Sequence, residues 1–255
     1  MVLTVTRKVV ALVLAHNEEG SLPGLLSEIA RDCPEWSIVV VSDGSTDGSA
    51  KSVQSAKAVL LELPFNSGVA AVEQTGFIYA LSVGAEVGVR LDGDGQHPPA
   101  EARRVVDALE RTGADVVVGS RFLHEGGYRS TLLRCAGLRW LSFLLRVLGG
   151  VRITDPTSGL RAFRKRAFSL LSNVYPDGYP EPESTLLLAR AGLRVVEVPV
   201  QMRARDAGHS SLGAWTALYY PVKVSFALLV EALRRPVRPS REAAFLQERL
   251  DGIER

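Results

Sequence analysis

Two carboxylates one residue apart, Asp92 and Asp94, lie between glycines at the end of an apolar run. The run Val87–Leu91 is typical of a buried strand, so both acids are expected just beyond its carboxyl end. Two carboxylates about 6 Å apart repel each other by roughly 3 kcal/mol at an effective dielectric constant near 20. A divalent cation bound through oxygen offsets this repulsion, and Mg²⁺ commonly carries substrate phosphates. The pair therefore predicts a metal–phosphate site, although Asp and Gly are also ordinary turn residues.

Acidic and polar residues follow two further predicted strands. The segment His16–Glu19 comes after the first strand and the loop Asp43–Gly48 after the second. Each segment alone has a simple explanation, because acids commonly cap turns and helices. In a parallel sheet, however, these loops share one edge, where ligands bind. The three segments together predict one acidic crevice.

The composition of this crevice excludes two common nucleotide sites. The first strand–helix turn has no Gly-x-Gly-x-x-Gly pattern, and the chain has no Gly-x-x-x-x-Gly-Lys-Ser/Thr loop. An acidic crevice can hold a nucleotide diphosphate only through a metal, whereas its other carboxylates can accept hydrogen bonds from sugar hydroxyls. These features favour a nucleotide sugar as ligand.

The elements that position these residues alternate along the first half of the chain. Five buried strands are predicted, at Val9–Ala15, Trp36–Ser42, Ala58–Leu63, Val87–Leu91 and Ala114–Ser120. Helical patterns separate them, at Ser21–Asp32, Thr46–Ala56, Val69–Val83 and Pro98–Arg111. Continuous apolar strands separated by helices indicate an α/β fold with a single Rossmann-like, mostly parallel sheet flanked by helices.

The second half of the chain is more apolar and more basic. A helix is predicted at Ser130–Leu148, and residues 121–150 contain five arginines but one acid, Glu125. The basic segment Arg161–Arg166 receives no predicted element. A strand is predicted at Leu193–Val200.

These C-terminal segments suggest contact with a membrane. Apolar surface mixed with arginine suits helices in a membrane interface; the alternative is a buried helix whose arginines reach solvent. The apolar stretch Ser211–Leu233 is long enough to span a bilayer but contains Pro221, Lys223 and Glu231. We therefore expect a catalytic domain at 1–210 and a helical extension at 211–255, amphipathic or membrane-interfacial.

Length and charge narrow the class of protein. A chain of 255 residues suffices for one large domain. A formal net charge of +2 excludes a strongly basic nucleic-acid binder. Two distant cysteines, Cys33 and Cys135, predict neither a disulfide nor a zinc site. The apolar run Val9–Ala15 follows Arg7 and Lys8 but has no cleavage site, so we expect a cytoplasmic protein.

Seven short motifs occur in a characteristic order. They are Ala15–Glu19, Ser42–Asp47, Asn66–Gly68, Asp92–Pro98, Gly119–Arg121, Asp155–Gly159 and Arg205–Ser210. The series resembles family-2 glycosyltransferases of the GT-A fold, most closely the dolichol-phosphate mannosyltransferase-like, polyprenyl-phosphate branch. Three features depart from that family: Ala15 and His16 replace Pro and Tyr, Ser211 replaces a Lys, and the membrane anchor of some members is absent or reduced.

The resemblance implies roles for individual residues. It implies a nucleotide-diphosphate sugar (UDP-, GDP- or dTDP-) contacted by Ala15, His16, Asn17, Glu18, Asp43, Ser45, Asn66, Gly68, Gln74, Asp92, Gly93 and Asp94. It implies Mg²⁺ or Mn²⁺ held by Asp92, Asp94 and Gln96. It implies that Arg121, Ser158, Arg205 and Ser210 bind acceptor or phosphate. The candidate catalytic residues are Asp94, Glu183, Glu181, Arg121 and Asp155.

The expected reaction inverts the anomeric carbon of the sugar and releases a nucleoside diphosphate. Two classes of acceptor are consistent with these residues. A polyprenyl phosphate is already an anion and needs only positioning, best done by arginine. A hydroxyl of a glycan or lipid-linked sugar, as in cell-envelope polysaccharide synthesis, needs a base. Glu183 and Glu181 are candidates for that base, although Glu183 also suits a helix N-terminus.

Three other classes of protein are alternative interpretations of the sequence. A nucleotidyltransferase would need a basic, glycine-rich first loop, and an aspartyl phosphatase would carry Asp-x-Asp after its first strand. A catalytically idle subunit that binds a membrane partner also stays open. We expect an enzyme peripheral to the inner face of the cell membrane, at the membrane surface or on a small membrane partner protein.

Overall fold

The computed structural model describes residues 8–54, 56–123, 131–176, 178–203 and 214–236. The strands are β1 (Val9–Ala15), β2 (Ser37–Asp43), β3 (Ala58–Leu63), β4 (Val87–Asp92), β5 (Val116–Ser120), β6 (Arg161–Arg164) and β7 (Val195–Pro199). The helices are α1 (Leu22–Asp32), α2 (Ser49–Gln54), α3 (Val69–Ser82), α4 (Pro99–Thr112), α5 (Leu132–Gly149), α6 (Lys165–Asn173), α7 (Pro180–Arg190) and α8 (Ala214–Leu233).

The described strands form one sheet in the order β3-β2-β1-β4-β6-β5-β7. The strands β3, β2, β1 and β4 are mutually parallel. The strand β6 lies antiparallel between β4 and β5, and β7 runs parallel to β5 at the edge. The predicted mostly parallel α/β sheet is therefore confirmed.

The strand β1 is apolar without interruption because helices cover both faces of the sheet. On one face, Ala11 and Val13 pack with helices α1 and α4. On the other, Val10 and Leu12 join a cluster with Phe77 of α3 and residues of α6. All seven residues of β1 are buried as a result.

A third apolar cluster joins the C-terminal helices. Leu141 and Leu145 of α5 pack with Leu186 of α7 and with Val224 and Leu228 of α8. The predicted division into 1–210 and 211–255 stays a prediction, since the proposed boundary lies outside the described residues.

The predicted elements of the first half are confirmed with small shifts at their ends. Helix α2 begins at Ser49 rather than Thr46 because the residues before Ser49 are hydrogen-bonded to the loop after β1. The Thr46 amide donates to Asn17 Oδ1 at 2.8 Å, and the Gly48 amide donates to Glu19 Oε2 at 2.9 Å.

Two elements of the second half, β6 and α6, carry no sequence prediction. The strand β6 has four residues, of which Arg161 and Arg164 are charged, so it lacks the apolar pattern of the other strands. Their guanidinium groups are bound to backbone carbonyl oxygens, Arg161 to Ser158 and Arg164 to Ala114. The predicted tail helix from Ser240 lies outside the described residues.

Candidate active site

The loops after β1, β2 and β4 meet at one edge because β1 is paired with both of the other strands. The amide of Gly93 donates to the carbonyl oxygen of Leu14 at 2.7 Å. The hydroxyl of Ser21 lies 2.8 Å from Glu18 Oε2 and 2.8 Å from the carbonyl oxygen of Gly93. The predicted convergence of three acidic loops is thus present.

His16 and Asp43 connect the first two loops with the turn before α3. His16 Nδ1 donates to the carbonyl oxygen of Asp43 at 2.7 Å, so its Nε2 can accept from Asn66 Nδ2 at 3.2 Å. The carboxylate of Asp43 accepts from the amides of Ser67 at 2.6 Å and Gly68 at 3.0 Å. Asp43 therefore holds the Asn66–Gly68 turn against β2.

Asn17 and Glu18 are held by hydroxyls of the second loop and of α2. Asn17 has a left-handed backbone, with φ of 56°, and its amide donates to Ser45 Oγ at 3.1 Å. The amide of Glu18 donates to Ser49 Oγ at 2.8 Å. These contacts leave the His16 and Asn17 side chains exposed at the crevice and keep Ala15 buried at the end of β1.

The Asp92–Asp94 motif forms a tight turn. Asp94 Oδ1 accepts from the amide of Gln96 at 3.0 Å, and Gly95 has a φ of 74°. A Cβ on Gly93 would lie 2.9 Å from the carbonyl oxygen of Leu14, closer than real Cβ contacts. Glycine at position 93 is therefore required by the approach of β1.

Arg90 supplies a positive charge next to the acidic motif. This arginine of β4 is buried, and its guanidinium lies 3.2 Å from Asp92 Oδ1 and 3.0 Å from Glu181 Oε1. It also contacts Glu73 Oε2 at 2.9 Å. The repulsion expected between Asp92 and Asp94 is thus offset in part by the protein itself.

Glu73 and Tyr175 complete the buried side of this network. Tyr175 donates to Glu73 Oε2 at 2.6 Å, whereas Glu73 Oε1 is buried without a hydrogen-bond partner among the described residues. Burial raises the pKa of the Glu73 carboxyl above its usual range, against the attraction of Arg90.

His97 and Gly159 fix the position of Asp92. His97 Nδ1 accepts from the amide of Asp92 at 3.0 Å, and burial lowers the pKa of this imidazole. A Cβ on Gly159 would lie 2.8 Å from Asp92 Oδ2. The loop before β6 therefore packs directly on the acidic motif.

Arg121 and Asp155 form a forked ion pair beyond the end of β5. The Arg121 Nε and Nη2 atoms lie 2.7 and 2.8 Å from the two carboxylate oxygens of Asp155. Asp155 is fully buried, and its amide donates to Glu197 Oε1 at 2.7 Å. Two predicted site residues thus come together, but Asp155 serves to position Arg121 and is not open to a substrate.

Ser158 and Glu183 differ from their expected roles. The Ser158 hydroxyl is buried and donates to the carbonyl oxygen of Gly119 at 2.5 Å, so it holds a loop instead of facing phosphate. Glu183 Oε1 accepts from the amide of Tyr179 at 2.5 Å and is buried, which caps the start of α7. Of the two candidate glutamates, Glu181 and Glu183, it is Glu181 that lies beside the acidic motif, where it forms an ion pair with Arg90.

Three predicted site residues remain, of which the structure describes Gln74. Gln74 Nε2 donates to the carbonyl oxygen of Ser172 at 2.9 Å, so its amide ties α3 to α6. Arg205 and Ser210 lie outside the described residues.

The oxygen-rich motif fits a divalent cation that shares its coordination with a ligand. In the described part of the chain, no group of three or more His, Cys, Asp or Glu side chains could hold a metal alone. Mg²⁺ characteristically takes one or two protein carboxylates and completes its shell with phosphate oxygens and water. Asp94 suits this role better than Asp92, whose charge is partly neutralised by Arg90.

Sequence reasoning missed Arg90, Glu73, Tyr175 and His97. One signal was available for Arg90, because it is a charged residue within an otherwise apolar strand. The others lie on α3, after α6 and after the acidic motif, and only the fold brings them together.

Comparisons with known proteins identify the family of the chain. The model of glycosyl transferase family 2 matches residues 11–171. The chain is 31% identical over 217 residues to polyprenol monophosphomannose synthase of Mycolicibacterium smegmatis, covering 81% of this chain and 82% of the relative. It is 31% identical over 215 residues to undecaprenyl-phosphate mannosyltransferase of Micrococcus luteus, covering 80% and 87%.

A solved structure shares the fold. Glucosyl-3-phosphoglycerate synthase from Mycobacterium tuberculosis, in complex with Mn²⁺, uridine diphosphate and phosphoglyceric acid, superposes with a TM-score of 0.68 at 19% identity. The match covers 90% of this chain and 80% of that chain. The likeness supports a GT-A fold.

Proposed function

This chain belongs to glycosyl transferase family 2 and is a glycosyltransferase, and on that premise we propose that it transfers a sugar from a nucleotide-diphosphate sugar to a polyprenyl phosphate, using Mg²⁺ or Mn²⁺. The observation that carries the proposal is the convergence of three acidic loops on the Asp92–Asp94 turn. Two relatives support it by their names, a polyprenol monophosphomannose synthase and an undecaprenyl-phosphate mannosyltransferase.

The proposed donor site lies between the β1, β2 and β4 loops. Asp94 is the proposed metal ligand, with Gln96 beside it. A bound divalent metal would supply positive charge opposite the leaving diphosphate. Asp92, oriented by Arg90, and Glu18 are proposed to accept hydrogen bonds from ribose or sugar hydroxyls. His16 and the Asn66–Gly68 turn held by Asp43 are proposed to border the base.

A phosphate acceptor agrees with the side chains near the motif. An acceptor phosphate oxygen attacks the anomeric carbon, the bond to the diphosphate breaks, and no proton needs removal. Glu183 is engaged in capping α7, and Asp155 is buried beneath Arg121. Arg121 retains some exposure, at 17% of its side chain, and is proposed to attract the phosphate.

A hydroxyl acceptor is the second candidate. Glu181 favours it, because its carboxylate lies beside the acidic motif and 17% of its side chain is exposed. In that case Glu181 would accept the hydroxyl proton, and its ion pair with Arg90 would set its position.

An exposed apolar face supports peripheral attachment to a membrane. On α5, Leu133, Trp140, Phe143 and Val147 are exposed. On α8, the exposed apolar residues are Tyr219, Val222, Phe226, Leu229, Val230 and Leu233. Trp140 Nε1 donates to Ser225 Oγ at 2.9 Å, which joins the two rows into one apolar face. Monomeric proteins rarely expose patches of this kind unless they bind a partner or a membrane.

The charge of α5 is consistent with an anionic surface. Its residues Leu132–Gly149 include three arginines and no acid. No helix within the described ranges combines the length and apolarity needed to cross a bilayer. We therefore propose that α5 and α8 lie at the membrane surface.

A transfer assay tests the function. Purified protein is incubated with radiolabelled UDP-, GDP- or dTDP-sugars, Mg²⁺ or Mn²⁺, and either polyprenyl phosphate or a lipid-linked sugar in detergent. We expect one donor to give a lipid-linked product that chelation by EDTA abolishes. Transfer only to a lipid-linked sugar would select the hydroxyl acceptor instead. Absence of both donor binding and transfer would leave the idle-subunit alternative.

A further inference from the structure

A groove lies between α5 and the edge strand β7, outside the proposed donor site. Its cavity volume is about 880 Å³, within the range of about 300–1,000 Å³ common for ligand pockets. Val151, Ile153, Val195 and Val196 form an apolar lining, while arginines surround it. We call it the arginine groove, lined by Arg139, Arg146 and Arg152 and by these apolar residues.

The rim of the arginine groove is positively charged. Arg139, Arg146 and Arg152 are exposed, and no guanidinium group of the three makes an ion pair or hydrogen bond within the described parts of the chain. Arg139 and Arg146 are seven residues apart on α5, so they lie about 10.5 Å apart along one side of the helix. The lining carboxylate, Glu197, is occupied by the Thr154 and Asp155 amides and the Thr154 hydroxyl.

The groove continues into the apolar face on one side. Phe143 lines the groove and stacks on Trp140, with ring centroids 5.7 Å apart. A ligand in the groove would therefore meet cationic groups and, next to them, the surface proposed to lie on the membrane. This combination suits an amphiphile with an anionic end.

On its other side the groove approaches the proposed acceptor site. Leu123 lines the groove two residues after Arg121. Thr154 also lines it and directly precedes Asp155, which binds Arg121 at 2.7 Å. The groove therefore extends from the apolar face towards Arg121.

We propose that the arginine groove binds an isoprenoid phosphate lipid, with the phosphate at the arginine rim and the isoprenoid chain on the apolar lining, before the phosphate reaches Arg121. A phosphate monoester carries about −1.5 to −2 charge at pH 7, which suits a cluster of arginines without carboxylate partners. The proposal rests on the proposed function, because it gives that reaction's acceptor a binding site.

Calorimetric titration of the full chain tests the groove without requiring turnover. The ligands are farnesyl phosphate, farnesol and inorganic phosphate, in the absence of donor. We expect farnesyl phosphate to bind at least tenfold more tightly than either control ligand, because it alone offers both phosphate and apolar chain. Equal binding of farnesol would overturn phosphate recognition by the groove.

A charge-removing variant and a matched control locate the site. Arg139→Gln/Arg146→Gln should weaken farnesyl phosphate binding tenfold or more. Arg104→Gln/Arg111→Gln on α4 removes two exposed arginines with the same spacing and should leave binding unchanged. Both variants change exposed side chains, and circular dichroism checks that each is folded. Unchanged binding in the α5 variant would overturn the proposal.

The same variants separate this proposal from the proposed function. If Arg139→Gln/Arg146→Gln loses farnesyl phosphate binding but the wild type transfers no sugar to any lipid phosphate, the groove stands and the reaction is wrong. If the wild type transfers sugar and the variant keeps its KM for the lipid, the reaction stands and the groove is wrong. If the variant raises the lipid KM tenfold with an unchanged donor KM, both are supported.

Discussion

The charge of Arg90 links residues that are far apart in the chain. A buried guanidinium needs partners for its charge and its N–H groups, and Glu73, Asp92 and Glu181 supply carboxylates to Arg90. The side chain that balances Asp92 therefore also determines where Glu181 lies. Two acids of the proposed site, one from β4 and one from α7, share one cation.

Removing Arg90 should destabilise the protein strongly. Arg90→Met leaves Glu73 buried beside Tyr175 without its cation, and loss of one partner of a buried pair costs about 3–5 kcal/mol. The double variant Arg90→Met/Glu73→Gln removes both charges and should recover part of that loss. Urea denaturation measures both free energies of unfolding. If the free energies lost by the two single substitutions simply added in the double variant, Arg90 and Glu73 would not be energetically coupled.

Asp94 should be essential for metal-dependent binding of nucleotide. Asp94→Asn removes the proposed ligand charge, so calorimetric affinity for UDP or GDP in the presence of Mn²⁺ should fall at least tenfold. Asp107→Asn, an exposed change on α4, serves as the control. An affinity in Asp94→Asn equal to that of the wild type would remove Asp94 from the metal site.

Glu183 should act through stability and not through proton transfer. Glu183→Gln keeps an oxygen that can accept from the Tyr179 amide, so turnover with a phosphate acceptor should be retained. Glu183→Ala loses this contact and should lower the free energy of unfolding by about 0.5–2 kcal/mol, as for other lost N-terminal caps. A large drop in kcat for Glu183→Gln would restore Glu183 as a base.

Motif residues differ in how well sequence predicted them. His16, Asp43 and the acidic pair could be grouped, because each follows a strand that the apolar pattern identifies, whereas Asn66 is identified only through the family resemblance. Ser158 lies in an equally recognisable motif, yet its hydroxyl is buried against Gly119. Side-chain direction within a loop depends on tertiary packing, which a motif does not contain.

At the scale of elements, β6 shows why the second half was harder to predict. A strand is identified by apolar alternation or an apolar run, and Arg161–Arg164 has neither. Its partners on both sides are antiparallel and lie far away in sequence. The segment is held by arginine contacts to carbonyl oxygens as well as by strand pairing.

Glu197 of β7 should give the protein a pH-dependent stability. Burial raises the pKa of its carboxyl above the ordinary value of 4.5, although hydrogen bonds from Thr154 and Asp155 oppose the shift. At pH values between 4.5 and the raised pKa, the folded state therefore binds more protons than the unfolded state. Stability contributed by Glu197 is present below that window and is lost as pH rises through it.

Comparison with Glu197→Gln isolates this effect. The variant cannot titrate, so the wild type should lose stability relative to it as pH rises from about 4.5 towards neutrality. Urea denaturation across this range measures the difference. If the difference in free energy of unfolding between the wild type and Glu197→Gln does not change with pH, Glu197 is not the source of the pH dependence.

At the scale of the whole molecule, the apolar face of α5 and α8 should bind anionic membranes. The wild type should co-sediment with phosphatidylglycerol vesicles at low salt and less so at high salt, because arginine attraction is screened. Phe143→Ser/Phe226→Ser should weaken binding, since both side chains are exposed on that face. Ile78→Ser, an exposed change on α3, is the control. Equal sedimentation of all three proteins would exclude this face.

The order of the strands also bears on how the chain folds. Strands β1 to β4 are neighbours in the sheet and are synthesised before β6, so they can pair with one another during synthesis from the N-terminus. β5 has no partner among the earlier strands, because its neighbours β6 and β7 come later in the chain. A nascent chain ending near residue 130 therefore holds an unpaired apolar strand, Val116–Ser120. Such a chain is exposed to aggregation until the antiparallel strand closes the gap.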